Sequence, residues 1–255
     1  MNKNVLLKIE YDGTNFYGWQ KQIDKRTVQG EIEKALSYIA KKDINISGTS
    51  RTDRGVHAYG QCASFNWDVN IPTEKLPYIL NNSFSGGKNN NEKQGDIRIL
   101  SAKDMDESFN ARFSAKGKTY RYDILNNEKG NIFHRNYAYY VKGSLDMDNI
   151  LKASKYLIGT HDFKSFEASG GSPRETTVRT ISDIRIVKDN DIISIYITGD
   201  GFLYNMVRII IGTLVEIGLG KINADNILTI VETKNRIAAG PTAPPQGLYL
   251  LKVIY

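Results

Sequence analysis

The chain has 255 residues, enough for one large domain or two small ones, and its 40% hydrophobic content fills an ordinary core without staples. A single cysteine, Cys62, excludes an internal disulfide framework and four-cysteine zinc sites, and His57, His134 and His161 are scattered without metal-ligand spacing, so no metal site is expected. Net charge is +6 and pI near 9.1, a balance that suits nucleic acid but is also common in proteins with no such partner.

The first strand is expected over residues 5–11, where Val5, Leu7, Ile9 and Tyr11 alternate with Leu6, Lys8 and Glu10. Asp12-Gly13 ends it as a turn. No apolar signal core precedes this strand, which with the cysteine usage points to a cytosolic, reducing setting. Thr27 is placed to cap a helix whose Val28, Ile32, Ala35, Leu36 and Ile39 share a face. Short strands follow at 44–47 and 61–67, the second with Ala63, Phe65 and Trp67 on one side. Between them runs a polar, glycine-bounded loop, Gly48-Thr49-Ser50-Arg51-Thr52-Asp53-Arg54-Gly55-Val56-His57. Ser85-Gly86-Gly87-Lys88-Asn89-Asn90-Asn91 reads as a surface loop, and 97–100 as a closing strand.

The second half repeats the order of elements. A strand is expected over 119–125 and an amphipathic helix over 147–158, with Met147, Ile150, Leu151, Ser154 and Leu157 on its face. Strands 181–187 and 192–198 form a hairpin around Lys188-Asp189-Asn190-Asp191. Helices over 205–217 and 222–233 precede a last strand at 249–254. The apolar run 206–219 is interrupted by Arg208 and Glu216, so it reads as a buried helix and not as a membrane span. The pattern predicts an α+β fold of two pseudo-repeated, antiparallel-sheet units, ferredoxin-like halves with flanking helices that meet across a central cleft. The expected division is 1–105, carrying the 51–57 loop, and 106–255, completing the cleft.

Four places are candidates for function, each with a plainer reading beside it. Arg51 and Arg54 flank Asp53, and a cation nearby favours an ionised carboxylate; Asp-x-Gly in a loop is also an ordinary turn with solvated charges. Tyr120 and Tyr122 share one strand face, which suits base stacking and also simple sheet packing. Arg208, in an apolar helix, needs an anion, either a structural carboxylate or an active-site one. The aromatic turn Tyr11 to Gln20 reads as a stacking platform or as a local hydrophobic cluster.

Taken together and in order, the segments resemble the tRNA pseudouridine synthase A family. Tyr11-Asp12-Gly13 with Phe16-Tyr17-Gly18-Trp19-Gln20 is similar to its opening motif, and Arg51-Thr52-Asp53 with Gly55-Val56-His57-Ala58 to its catalytic loop. Phe109-Asn110-Ala111-Arg112-Phe113-Ser114-Ala115 with Tyr120-Arg121-Tyr122 matches a second motif. Phe202-Leu203-Tyr204-Asn205-Met206-Val207-Arg208 with Gly212 matches a third, and Ala243-Pro244-Pro245 with Gly247-Leu248 a C-terminal one. Five motifs in register are far more specific than any one.

The resemblance implies an isomerase that converts uridine to pseudouridine at positions 38–40 of the tRNA anticodon stem-loop. Asp53 is then the nucleophile, Tyr120 packs on the target base and is linked to proton removal from C5, and Arg208 pairs with the aspartate. Arg51 and His57 join Tyr120 as substrate-binding residues, and Arg54, beside the nucleophile, is a further candidate substrate contact of this chain. It further implies tRNA as partner, a homodimer, and no cofactor, since the reaction is redox-neutral. The loop departs from the family's usual residues at Ser50, commonly glycine, and Arg54, commonly alanine. These departures bear on target choice. Alternatives are a paralogue acting on other tRNA or rRNA positions, and a non-catalytic RNA-binding protein of the same fold.

Overall fold

The computed structural model describes residues 3–85, 95–171 and 175–255. Most of the 85–91 patch lies outside them. The chain is mixed α+β and divides into two compact units, Met1–Lys116 with Tyr249–Tyr255, and Gly117–Leu248. The sequence expectation put the division at 105/106. The difference arises at the C-terminus, where the last strand pairs with a strand of the first unit.

In the first unit, β1 (Lys3–Tyr11) lies between β4 (Ile97–Met105) and β3 (His57–Trp67), antiparallel to both. Its alternation puts Val5, Leu7, Ile9 and Tyr11 into the core. β10 (Leu248–Ile254) joins the far side of β3 in parallel, Tyr249 opposite His57, so the sheet is not purely antiparallel as expected. β2 is only Ser47–Gly48. The expected strand at 44–47 does not form because side chains take its N–H groups: Ile44 N donates to Ser37 Oγ and Ile46 N to Glu33 Oε1. Helix α1 (Val28–Ala40) starts where Thr27 caps it, its hydroxyl accepting from Gly30 N, and buries Val28, Ile32, Ala35 and Leu36. α2 (Leu76–Phe84), not expected from the sequence, lies against β4, with the Asn81 amide bonded to both the N–H and the C=O of Ile99.

In the second unit the strand order is β5 (Gly117–Asn126), β9 (Ile192–Gly199), β8 (Val178–Asp189) and β7 (Gly159–Asp162), all antiparallel, with β6 (Tyr139–Val141) parallel to β5. The β8–β9 hairpin turns through Asn190, which adopts left-handed backbone, φ 51°. α3 (Met147–Tyr156) is capped by Asp146 and buries Ile150, Ala153 and Ser154. Leu151, expected on that face, is half-exposed. α4 (Met206–Gly218) is buried along nearly its whole length, as its composition requires. Among the described residues no helix is long and apolar enough to cross a membrane. The expected 222–233 helix is a 3₁₀ turn, Ala224–Asn226, running into α5 (Ile227–Thr233).

Candidate active site

The Asp53 loop has almost no regular secondary structure, so other groups must satisfy its backbone. On its N-terminal side, Gln61 clamps Ser50: Gln61 Nε2 donates to Ser50 O at 2.7 Å, and Ser50 N donates to Gln61 Oε1 at 3.3 Å. Thr49 N donates to Cys62 O, and Thr49 Oγ1 donates to Ala111 O, which brings the Phe109–Ala115 motif to the loop. In the middle, Trp19 N donates to Thr52 O at 3.0 Å, and the Tyr11 and Thr52 hydroxyls lie 2.7 Å apart. After Asp53, Val56 N closes a turn onto Asp53 O at 3.1 Å.

Two glycines of the opening motif make this possible by close approach. A Cβ on Gly13 would sit 2.0 Å from Val56 O; one on Gly18, whose φ is +88°, would sit 2.6 Å from Thr52 O. The aromatic turn is therefore the floor of the Asp53 loop. Phe16 and Trp19 are buried beneath it, while Tyr17 is 39% exposed. Ser50, replacing the usual glycine, is buried and is not among the positive-φ residues, so its Cβ needs no altered backbone.

Asp53 is half-buried, and Arg51 and Arg54 are exposed on either side of it. The Arg54 guanidinium lies over the Tyr17 ring, 4.4 Å from its centroid. His57, expected at the substrate, is buried: its ring stacks on Tyr249 at 4.8 Å, and its Nδ1 accepts from Gly13 N at 3.0 Å. Asp12 Oδ1 is also 3.2 Å from Nδ1, a separation that would suit an ion pair.

Three more motifs meet in the second unit. Tyr122 is fully buried on β5 and its hydroxyl donates to Pro244 O at 2.7 Å; burial above all holds its pKa well above the usual tyrosine value. Tyr120, on the same strand face, is 8% exposed and packs edge-to-face on Phe202 at 5.2 Å. Both tyrosines are thus packed. Arg208 stands in the first turn of α4 and is half-buried, less enclosed than its apolar neighbours suggested. Its Nε donates to Ala243 O at 2.7 Å and an Nη donates to Asn205 Oδ1 at 2.8 Å, while Ala243 N returns a bond to Arg208 O. Arg208 thereby ties the C-terminal motif to the start of α4.

Sequence reasoning missed Gln61. The signal was present: residues 61, 63, 65 and 67 share a strand face, and a glutamine in that apolar phase must have its amide satisfied.

Comparisons with known proteins agree with one another. A sequence model described as tRNA pseudouridine synthase matches residues 8–114 and 153–255. A protein of Thermoanaerobacter sp. (strain X514) named tRNA pseudouridine synthase A is 48% identical over 99% of this chain and all of its own length. One of Clostridium tetani (strain Massachusetts / E88) named tRNA pseudouridine synthase A 2 is 48% identical over the whole of both chains. A match to a solved Cbf5–Nop10–Gar1 complex covers 97% of this chain and 58% of that one at 10% identity, with a TM-score of 0.37, too low to bear on the argument. With a family match over most of the chain and near-half identity to full-length relatives, the chain belongs to the tRNA pseudouridine synthase family.

Proposed function

We propose that the protein is an isomerase converting uridine to pseudouridine in tRNA, with Asp53 as its nucleophile. The observation that carries this is the framing of Asp53: a half-buried carboxylate on a loop fixed at Ser50, Thr52 and Val56, with an arginine on each side in sequence. In the reaction the N1–C1′ bond of uridine breaks and a C5–C1′ bond forms. C5 loses its proton and N1 gains one, so the formula is unchanged and no electrons are exchanged. Asp53 attacks the nucleoside so that the base can detach, turn and rejoin through C5. Nucleophilic assistance splits one difficult step into two easier ones.

The target must first leave its stack, at a cost of a few kcal/mol. Arg51 helps hold the flipped nucleotide, Arg54 contacts the RNA beside it, and Tyr120 packs on the base and serves proton removal from C5. Arg208 balances the charge of Asp53. His57, given its burial, positions the Gly13 turn under the loop and does not itself touch RNA. The roles of Tyr120 and Arg208 rest on the family resemblance. The pseudo-repeat of the two units, an RNA-binding cleft, action at positions 38–40, a cytoplasmic homodimer and independence of any cofactor belong to the same reading.

Tritium release from C5-labelled uridine in tRNA tests the activity, and pseudouridine mapping of the product tests the positions. Wild-type protein should release tritium without added cofactor, with pseudouridine confined to 38–40. Tyr120→Phe and Arg208→Met should each lower the rate by about a hundredfold or more. Release at other positions would reassign the target, and no release from any tRNA would refute the activity.

A further inference from the structure

The Arg54–Tyr17 contact belongs to a larger arrangement. The Lys25 ammonium lies 4.8 Å from the centroid of the ring that Arg54 covers at 4.4 Å. Measured to one centroid, the two distances put the charges within about 9 Å of each other. Among the described residues neither cation makes an ion pair with a carboxylate. Their neighbour Arg26, by contrast, pairs with Asp96 at 2.6 Å and lies over Phe16. Two exposed like charges brought this close repel unless something negative lies between them or binds to them. The tyrosine ring face supplies part of that.

The arrangement is built and not incidental. Tyr17 N donates to Arg26 O at 2.9 Å, and Gln22 Nε2 donates to Tyr17 O at 3.0 Å, so the 21–26 segment is fastened across the Tyr17 backbone. The same segment turns through Asp24 in left-handed backbone, φ 57°. On its other side the Tyr17 strip is fixed to the catalytic loop, since Gly18 lies against Thr52 O, Asp53 C and Arg54 N. Lys25 and Arg54 come from segments far apart in sequence, and the fold aims both at one ring beside Asp53.

We propose that Arg54, Tyr17 and Lys25 form a phosphate clamp for the RNA strand next to the target uridine. The proposal rests on the reading of Asp53 as nucleophile in a tRNA-modifying enzyme and adds to it a contact specific to chains with arginine after the aspartate. The ring face backs the guanidinium, whose N–H groups take phosphate oxygens, and Lys25 takes a second phosphate as a point charge. Tyr17 contributes as a ring and not through its hydroxyl.

The test is binding of an unmodified tRNA transcript across a salt series, with tritium release on the same variants. Arg54→Ala and Lys25→Ala should each raise the dissociation constant about three- to tenfold near physiological salt and lower the slope of log K against log salt by about one. Most of the activity loss should fall on KM, with kcat falling less. Tyr17→Phe should bind as wild type, while Tyr17→Leu should bind like Arg54→Ala. Lys75→Ala, a basic change away from the ring, controls for net charge. If wild-type protein modifies tRNA but Arg54→Ala and Lys25→Ala keep the wild-type constant and slope, the clamp is refuted and the activity stands. If wild-type protein neither binds nor modifies tRNA, the underlying reading itself fails.

Discussion

Asp53 and Tyr120 are held in place by different kinds of scaffolding. Tyr120 sits in mid-strand, where β5 pairs residue by residue with β9 from Lys118 opposite Gly199 to Leu125 opposite Ile192. Its backbone is over-determined by that ladder. Asp53 sits on a loop held by individual groups: the Gln61 amide and the Trp19 N–H on its backbone, the Tyr11 hydroxyl on the Thr52 side chain, and the close-packed surfaces of Gly13 and Gly18. A loop gives a carboxylate the exposure that attack on RNA requires, but each support is then a single point of failure. The comparison predicts that distant, non-reacting residues matter more around Asp53 than around Tyr120.

Gly18→Ala should break the comparison most visibly on the loop side. The added methyl meets Thr52 O and the backbone is at positive φ, so the loop must move. We expect pseudouridine formation to fall at least about tenfold and stability by about 1–3 kcal/mol. Gly13→Ala should behave alike through Val56 O. Gln61→Leu comes next. It leaves the Ser50 carbonyl and N–H buried without their partner, for a loss of about 1–3 kcal/mol by chemical denaturation and a clear fall in activity. Tyr122→Phe, on the strand side, removes one hydrogen bond to Pro244 O and should cost only about 1 kcal/mol, with activity largely kept. An activity loss for Tyr122→Phe equal to that of Gln61→Leu would erase the distinction.

The smallest effect is on pH. The Asp162 carboxyl is held below its usual value, first by Thr177 Oγ1 at 2.5 Å and then by Lys234 at 2.9 Å. A carboxylate with a lowered folded-state pKa adds stability that is present above its unfolded value, about 3.9, and is lost as pH falls through the folded one. Asp162→Asn should therefore destabilise the second unit slightly at neutral pH and make its stability less dependent on pH below about 4. Denaturation midpoints at neutral pH and below pH 4 check this; a variant with an unchanged acid slope would remove the assignment.

Local alternation located β1, β5, β8 and β9, a capping threonine located α1, and a continuous apolar run located α4, which has no side-chain cap. What the sequence did not disclose depends on residues far apart. The pairing of Tyr249 with His57 crosses most of the chain, and no local pattern marks it. Residues 44–46 have a strand-like composition, yet Ser37 and Glu33 capture their backbone. α2 was missed because its apolar face is short, with Leu76 and Leu80 as its buried residues. At the candidate site, only the five ordered motifs singled out Asp53, since Asp-x-Gly by itself is an ordinary turn. The burial of His57 was not legible, because a histidine beside a loop reads equally as a ligand-facing group. Arg54 stood out as a departure, but its contact with Tyr17 required the fold.

The most direct measurement is single-turnover tritium release by Asp53→Asn beside wild type, with enzyme in excess over C5-labelled tRNA. This substitution is nearly isosteric and replaces one carboxylate oxygen by an uncharged amide nitrogen. The expected result is a rate lower by more than about a thousandfold, with tRNA affinity within a fewfold of wild type. Release at a rate comparable to wild type would contradict the assignment of Asp53 as the nucleophile.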